Sequence, residues 1–298
     1  MSITFLKGIV PAIVTPLCSS GKEIDEDSAR NLVDFLIDNQ VHGLFALGST
    51  GECAYLDNAL RQRMAAIVID QANGRLPVII HVGAQTLEDV LDLSYHAVST
   101  GSDGIALIPP YYYTMDDLAM EQFFSKVAEA IHIPIYLYNI PMNAKNNIKV
   151  SMFVKLAKSY PHIMGMKDSS MNFENFYELI QEKESKHSAI MGNDAQILPA
   201  LAVGGQGAVS AGATAIPEPF VKLYNAFLRG DMDDARKWQG VCAQVKKMFV
   251  KPYPIAPQKK VLELRGITGP TVRAPLRQMT IAETEELTRN YESIKQLL

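Results

Sequence analysis

Residues 163–170 read Ile-Met-Gly-Met-Lys-Asp-Ser-Ser: a short apolar run, then Lys167, then a polar, turn-prone tail. A run of this length closed by turn residues reads as a strand buried on both faces. A lysine at the end of such a strand stands at the rim of a dry interior. Desolvation there works against the ammonium form, so the amine can be a nucleophile near neutral pH, as carbonyl-condensing lysines require. A strand-end lysine that simply reaches solvent is the plain alternative, and its surroundings decide between the two.

Seven more runs of the same kind occur, at residues 8–14, 43–47, 78–82, 104–108, 135–138, 189–191 and 208–210. Most are continuously apolar, as expected of parallel strands covered on both sides. Helical stretches lie between them. Met120, Phe123, Phe124, Val127, Ala128 and Ile131 keep an i, i+3, i+4, i+7 rhythm. Thr86-Leu87-Glu88-Asp89 resembles a capping box, followed by a stripe of Leu87, Val90, Leu91, Ser94, Ala97 and Val98. Eight strand-helix units within about 210 residues predict an α/β fold, a (β/α)8 TIM barrel, because right-handed crossovers lay each helix outside a closing parallel sheet. An open doubly wound sheet is the alternative. The turn after the first run, residues 15–21, lacks the GxGxxG fingerprint that such a sheet uses for dinucleotides. Beyond Pro217 the pattern is wholly helical, near residues 220–228, 234–249, 257–264 and 281–297. The expected division is a barrel carrying the active site over 1–216 and a C-terminal helical appendage packed on it over 217–298.

The 298 residues are 48% hydrophobic, enough for a sizeable core. The 28 basic and 32 acidic residues give a net charge of −4 without a block of like charge. That pattern argues against nucleic acid or a membrane surface as partner and favours a small molecule. Residues 1–15 lack a positive leader and a cleavage site, and no apolar run approaches the ~20 residues of a membrane span, so a cytoplasmic protein is expected. Cys18, Cys53 and Cys242 are odd in number and far apart, which suits free thiols. The six histidines form no HxH or HExxH pair, so no metal is expected; His81, at the end of the third run, is the one histidine placed to face a pocket.

Barrel active sites lie at the C-terminal strand ends. Those ends here are Gly48-Ser49-Thr50-Gly51-Glu52, Pro109-Pro110-Tyr111-Tyr112-Tyr113, Tyr138-Asn139-Ile140-Pro141 and Lys167. Gly-Ser-Thr-Gly offers two hydroxyls and a bend whose N–H groups can face a carboxylate, although an ordinary strand-to-helix turn has the same composition. Tyr138 lies on the strand beside Lys167, where its phenol can relay protons during imine formation. A strand tyrosine taken alone is as consistent with packing. Gly204-Gly205-Gln206-Gly207 reads as a tight turn, since no Lys or Arg follows to hold a phosphate.

Together these motifs, with Gly165-Met166-Lys167-Asp168, resemble the pyruvate-dependent aldolases of the dihydrodipicolinate synthase and N-acetylneuraminate lyase family. The resemblance spans nearly the whole chain, from Gly8-Ile9-Val10-Pro11-Ala12 to Thr271-Val272-Arg273-Ala274-Pro275-Leu276. It implies that Lys167 forms a Schiff base with pyruvate or a 2-keto acid, with no metal or organic cofactor. It also implies that Tyr138 shuttles the proton, that Ser49 and Thr50 hold the substrate carboxylate, Ser49 counting among the catalytic residues as well, and that Tyr112 completes the relay from a neighbouring subunit of a homotetramer. Gly192, Asp194, Val209, Asn143 and Ser169 complete the implied substrate-binding set.

Departures from the pattern bear on the substrate. Asn143 stands where the synthases place an arginine for the second substrate's carboxylate, and asparagine cannot offer a charged two-pronged donor. Ala195 and Ala211 stand where sialic acid lyases carry an acid and a serine. The resemblance therefore ranks a 2-keto-3-deoxy sugar acid aldolase first, with Asp168, Ser169 and Asp194 for substrate hydroxyls. Dihydrodipicolinate synthase and N-acetylneuraminate lyase are the alternatives, and a non-catalytic 2-keto acid binding protein is more distant. Lys145 is a candidate for an acidic group on the aldehyde, weighed against a solvated surface lysine.

Overall fold

The structure, a computed structural model, describes residues 6–298; the first five residues of the 1–15 stretch, where no leader is expected, lie outside the described residues. Eight strands form the centre: β1 (Gly8–Pro11), β2 (Leu44–Ala46), β3 (Val78–His81), β4 (Gly104–Leu107), β5 (Ile135–Asn139), β6 (Ile163–Asp168), β7 (Ser188–Met191) and β8 (Gly207–Ser210). Their order in the sheet is β1-β8-β7-β6-β5-β4-β3-β2, with every pairing parallel. The ring closes between β1 and β2 through a parallel bridge from Ala12 to Phe45, where the Ile13 N–H donates to the Phe45 carbonyl at 3.0 Å. The expected (β/α)8 barrel is the observed fold.

The helices are α1 (Glu26–Asp38), α2 (Asn58–Ala72), α3 (Leu87–Ser99), α4 (Asp117–Ala130), α5 (Pro141–Ala144), α6 (Val150–Ser159), α7 (Phe173–Glu182), α8 (Ile197–Ala202), α9 (Glu218–Leu228), α10 (Met232–Phe249), α11 (Ala256–Leu264) and α12 (Ile281–Lys295). In α4 all of the rhythmic residues up to Ala128 are buried, and Ile131 is buried just beyond its end. In α3 the stripe lies slightly rotated from expectation: Leu93 is buried and Val98 is exposed. Thr86 caps α3 by accepting from the Asp89 N–H at 3.2 Å, while the Asp89 carboxylate takes the Thr86 hydroxyl at 2.6 Å, so the cap closes side chain to side chain. α9 follows β8 and packs against β1, so the first helix of the expected 217–298 appendage lies directly on the barrel.

Continuous apolar strands make sense because the barrel has two cores. One set of strand positions, among them Leu44, Ile80, Leu107 and Leu137, faces the helices. The alternate set, Val10, Phe45, Ile79, Ala106, Tyr136, Tyr138, Ile190 and Val209, fills the interior. On β6 this alternation is broken once. Ile135 pairs with Ile163, but Tyr136 pairs with Gly165, so β6 carries one more residue than β5 at this point. Without the irregularity, Met164 and Met166 would both point inward and Lys167 outward, because strand side chains alternate with period two. With it, Met164 lies in the inner core, Met166 in the outer one, and Lys167 is paired with inward-facing Tyr138.

Gly165 permits this bulge. A Cβ built there would lie 2.3 Å from the Ser188 carbonyl oxygen on β7, inside any tolerable contact. Gly165→Ala is therefore expected to push β6 from β7 and lower unfolding stability by about 2 kcal/mol or more, the scale of overpacking. Equilibrium denaturation in guanidinium chloride measures it.

Candidate active site

Lys167 is 5% exposed, at the C-terminal end of β6. Its Nζ lies 3.7 Å from the centroid of the Tyr138 ring and 4.5 Å from that of Phe45. Tyr138 itself is 3% exposed and meets Phe45 and His81 edge to face. The amine thus leaves a wall of aromatic rings and opens into a cavity of about 370 Å³ at the barrel mouth. Ser49, Thr50, Ser169, Gly192, Asp194 and Val209, all implied by the resemblance, line the same cavity.

The Ser49-Thr50 turn after β2 is built by backbone constraint. Leu47 and Glu52, at its two ends, both adopt positive φ of 61°. The Gly51 N–H closes the turn onto the Gly48 carbonyl at 2.9 Å, and the Gly51 carbonyl accepts the Thr15 hydroxyl at 2.7 Å. Among the described residues, the Ser49 and Thr50 N–H groups make no backbone hydrogen bond. Two hydroxyls and two free N–H donors on a tight bend form a cradle for an anion.

That turn is fastened from beneath. Glu52 and Lys259 form an ion pair in which both side chains are fully buried. The second Glu52 oxygen accepts from the Arg273 N–H at 2.6 Å, and the Lys259 ammonium also donates to the Thr271 carbonyl at 2.6 Å. Burial pushes the Lys259 amine below its ordinary value, and Glu52 opposes that shift. Through this cluster, α11 and the segment at 271–273 hold the base of the Ser49-Thr50 turn.

Asp194 is buried at the start of a 3-10 turn, residues 194–196. Desolvation raises its carboxyl above the usual aspartate value, against the Ser210 hydroxyl and the Gly212 N–H, which donates at 3.0 Å. Gly192 gives Ser169 its place, since a Cβ there would fall 1.9 Å from the Ser169 Oγ.

Other expected residues lie elsewhere. Asp168 points away from the cavity: its carboxylate accepts from the Ser170 N–H and the Asn175 amide, each at 2.8 Å, so it is not available for substrate hydroxyls. Its outward direction follows from its being next to inward-facing Lys167 on a strand. Asn143, exposed on α5, lines a second cavity of about 360 Å³ that shares Ser49, Thr50, Phe249 and Gln258 with the first. Tyr112, with φ of 90° and 67% exposure, lies outside both cavities of its own chain. Lys145 is outside both as well, its amine 5.8 Å over the Tyr112 ring, so it does not serve the cavity as a cation.

His81 does not line the cavity either. Its Nδ1 lies 3.0 Å from the Leu47 carbonyl, and burial drives its pKa down to about 3. Among the described residues no three His, Cys, Asp or Glu side chains gather as a metal site, and no helix is long and apolar enough to cross a membrane.

The appendage supplies a wall that sequence reasoning missed: Lys246, Phe249 and Val250 at the end of α10, and Gln258 on α11. Gln239 of α10 anchors this wall, accepting from the Leu198 N–H at 2.7 Å and donating to the Asp194 carbonyl at 2.9 Å. Nothing local in the sequence marks these residues, because the contacts join segments about forty or more positions apart.

Residues 5–294 match the dihydrodipicolinate synthetase family. The chain belongs to that family. It is 35% identical over 285 residues to the 4-hydroxy-tetrahydrodipicolinate synthase of Methanopyrus kandleri, covering 95% of this chain and 94% of that protein. To the synthase of Methanocaldococcus jannaschii it is 35% identical over 275 residues, covering 92% and 93%. A crystal structure of YagE, a prophage protein of the dihydrodipicolinic acid synthase family from E. coli K12 in complex with pyruvate, superposes with a TM-score of 0.94 at 28% identity, covering 98% of this chain and 99% of that one. A dihydrodipicolinate synthase superposes with a TM-score of 0.91 at 33% identity, covering 97% and 99%. These relatives favour the synthase over the sugar acid aldolase that the departures had ranked first.

Removing one partner of the buried pair tests how the Ser49-Thr50 turn is held. Lys259→Met should strand the Glu52 carboxylate and cost about 3–5 kcal/mol in chemical denaturation. A loss below about 1 kcal/mol would show that the pair does not fasten the turn.

Proposed function

We propose that this protein is a Schiff-base synthase that condenses pyruvate with L-aspartate semialdehyde, the reaction that the family resemblance implies for a synthase; relatives named 4-hydroxy-tetrahydrodipicolinate synthase support this reading. The observation that carries the chemistry is the buried Lys167 amine, 3.7 Å from the Tyr138 ring and opening into a cavity with the Ser49-Thr50 turn. In the proposed sequence, the Lys167 amine adds to C2 of pyruvate. Water leaves after proton transfer through the Tyr138 phenol, giving a protonated imine. Ser49 and Thr50 hold the pyruvate carboxylate. The imine nitrogen draws electrons, a proton leaves C3, and the resulting enamine forms a carbon–carbon bond to the aldehyde carbon. The amino group of the semialdehyde then adds to C2 and displaces the Lys167 amine, which closes the six-membered ring and frees the lysine. The imine is the electron sink, so the chemistry calls for no metal or organic cofactor.

A second reading, reversible cleavage of a 2-keto-3-deoxy sugar acid, has one observation in its favour. Asn143 stands where the synthase pattern has an arginine. For the assembly we infer a homotetramer in which exposed Tyr112 reaches a neighbouring subunit's cavity; its position outside the cavities of its own chain supports this. Its three unpaired thiols support a cytoplasmic location.

Pyruvate plus borohydride should leave a reduced adduct on Lys167, seen by mass spectrometry; folded protein with an unmodified Lys167 defeats the mechanism. Steady-state assays with aspartate semialdehyde and with sugar aldehydes then separate the two readings by kcat/KM. Tyr138→Phe should lower kcat by about 10²- to 10⁴-fold with a smaller change in KM, since it deletes a proton donor needed in transition states. Tyr112→Phe should act in the same direction, and a change confined to KM in both variants would remove these tyrosines from the relay.

A further inference from the structure

We infer that Lys246, on the last turn of α10, is the cation that recognises an anionic group at the far end of the aldehyde component, and that the substrate class of this site is therefore an aldehyde bearing a carboxylate. The inference rests on the reading of the cavity as a pyruvate-condensing site and deepens it.

Lys167 and Lys246 are the two cationic side chains that line the cavity. Lys167 is consumed by the imine during turnover, so Lys246 is the one left to meet a second carboxylate. Its position suits the task. Asp194, buried in the cavity wall, feels the charge of both amines, which places it within electrostatic reach of Lys246 as well as of Lys167. The Lys246 Nζ donates to the Asn193 Oδ1 at 2.6 Å. Among the described residues it forms no ion pair at contact distance, and the Asp194 carboxylate acts on it only at longer range. An ammonium has three donors, and Asn193 takes one. Asn193 is itself fixed, its amide donating to Gln196 at 3.0 Å, so the ammonium is held in place while its remaining donors stay free.

The helix end is a favourable place for a cation. Lys246 and Lys247 lie in the last turn of α10, where the unsatisfied carbonyls of a helix end favour a cation. Gln239, two turns earlier, clamps the same helix to the Asp194–Leu198 region, so the amine is presented by a rigid element. The α5 segment provides no such charge. Asn143 is neutral, and Lys145 stands over Tyr112, outside the cavity. A lysine from the appendage thus takes the role that an arginine after β5 would have filled.

The test compares two anionic aldehydes, L-aspartate semialdehyde and succinic semialdehyde, with the neutral D-glyceraldehyde, each with saturating pyruvate. The unaltered enzyme should prefer the anionic aldehydes. Lys246→Met should lower the anionic-to-neutral ratio of kcat/KM by about 10- to 100-fold, chiefly through KM, which is the size of a charge-assisted hydrogen bond. Lys246→Arg should restore most of that ratio. If Lys246→Met slows all aldehydes equally, the residue merely positions Asn193 and the inference falls. An unaltered enzyme that turns over glyceraldehyde as well as the anionic pair overturns it without any variant. Succinic semialdehyde lacks the amino group of aspartate semialdehyde, so turnover of the former without the latter upholds Lys246 while rejecting the synthase reading.

Discussion

One extra residue on β6 sets the chemistry of this barrel. The pairing jumps from Ile135–Ile163 to Tyr136–Gly165, and the shift reverses which side chains of the later strand face inward. Lys167 thereby enters the interior beside Tyr138 and Phe45. The shift is possible because Gly165 leaves room for the Ser188 carbonyl on the next strand. A buried amine that still reaches the cavity is thus placed by an irregularity in strand pairing. Bulges next to active sites commonly re-aim a side chain in this way.

The appendage completes the site. Two of its elements reach the barrel mouth by separate routes. The buried Glu52–Lys259 pair joins α11 to the turn that carries Ser49 and Thr50. Gln239 and Lys246 join α10 to the segment at 193–198. The first link involves two fully buried charges, whose desolvation is offset only while both partners and their backbone contacts remain in place. The cavity is therefore enclosed jointly, with its floor from the strands and its outer wall from the helices that follow the barrel.

This division bears on specificity within the family. The Lys167, Tyr138 and Ser49-Thr50 elements belong to strand ends. The residues that would contact the aldehyde come from α5, from the segment after β7 and from α10. Those segments carry Asn143 in place of arginine and add Lys246 from a different helix. A charge can be delivered to one point in a cavity from either side, so loss of a cation on one element does not by itself define a neutral substrate.

The sequence by itself determined the eight strand-helix units, the parallel barrel and the strand-end residues Lys167, Tyr138, Ser49 and Thr50. Each is encoded within a few neighbours: an apolar run, a helical rhythm, a turn motif. The family resemblance, not the local pattern, implied Asp194, Gly192, Ser169 and Val209, which the fold gathers into the same cavity. Only the tertiary structure decided that Asp168 turns outward onto Ser170 and Asn175, that Lys145 stays outside the cavity, and that Lys246, Phe249 and Gln258 line it. The direction of a strand side chain depends on pairing register with another strand. The partner of a helix side chain such as Lys246 depends on packing across some fifty residues, which local periodicity does not carry.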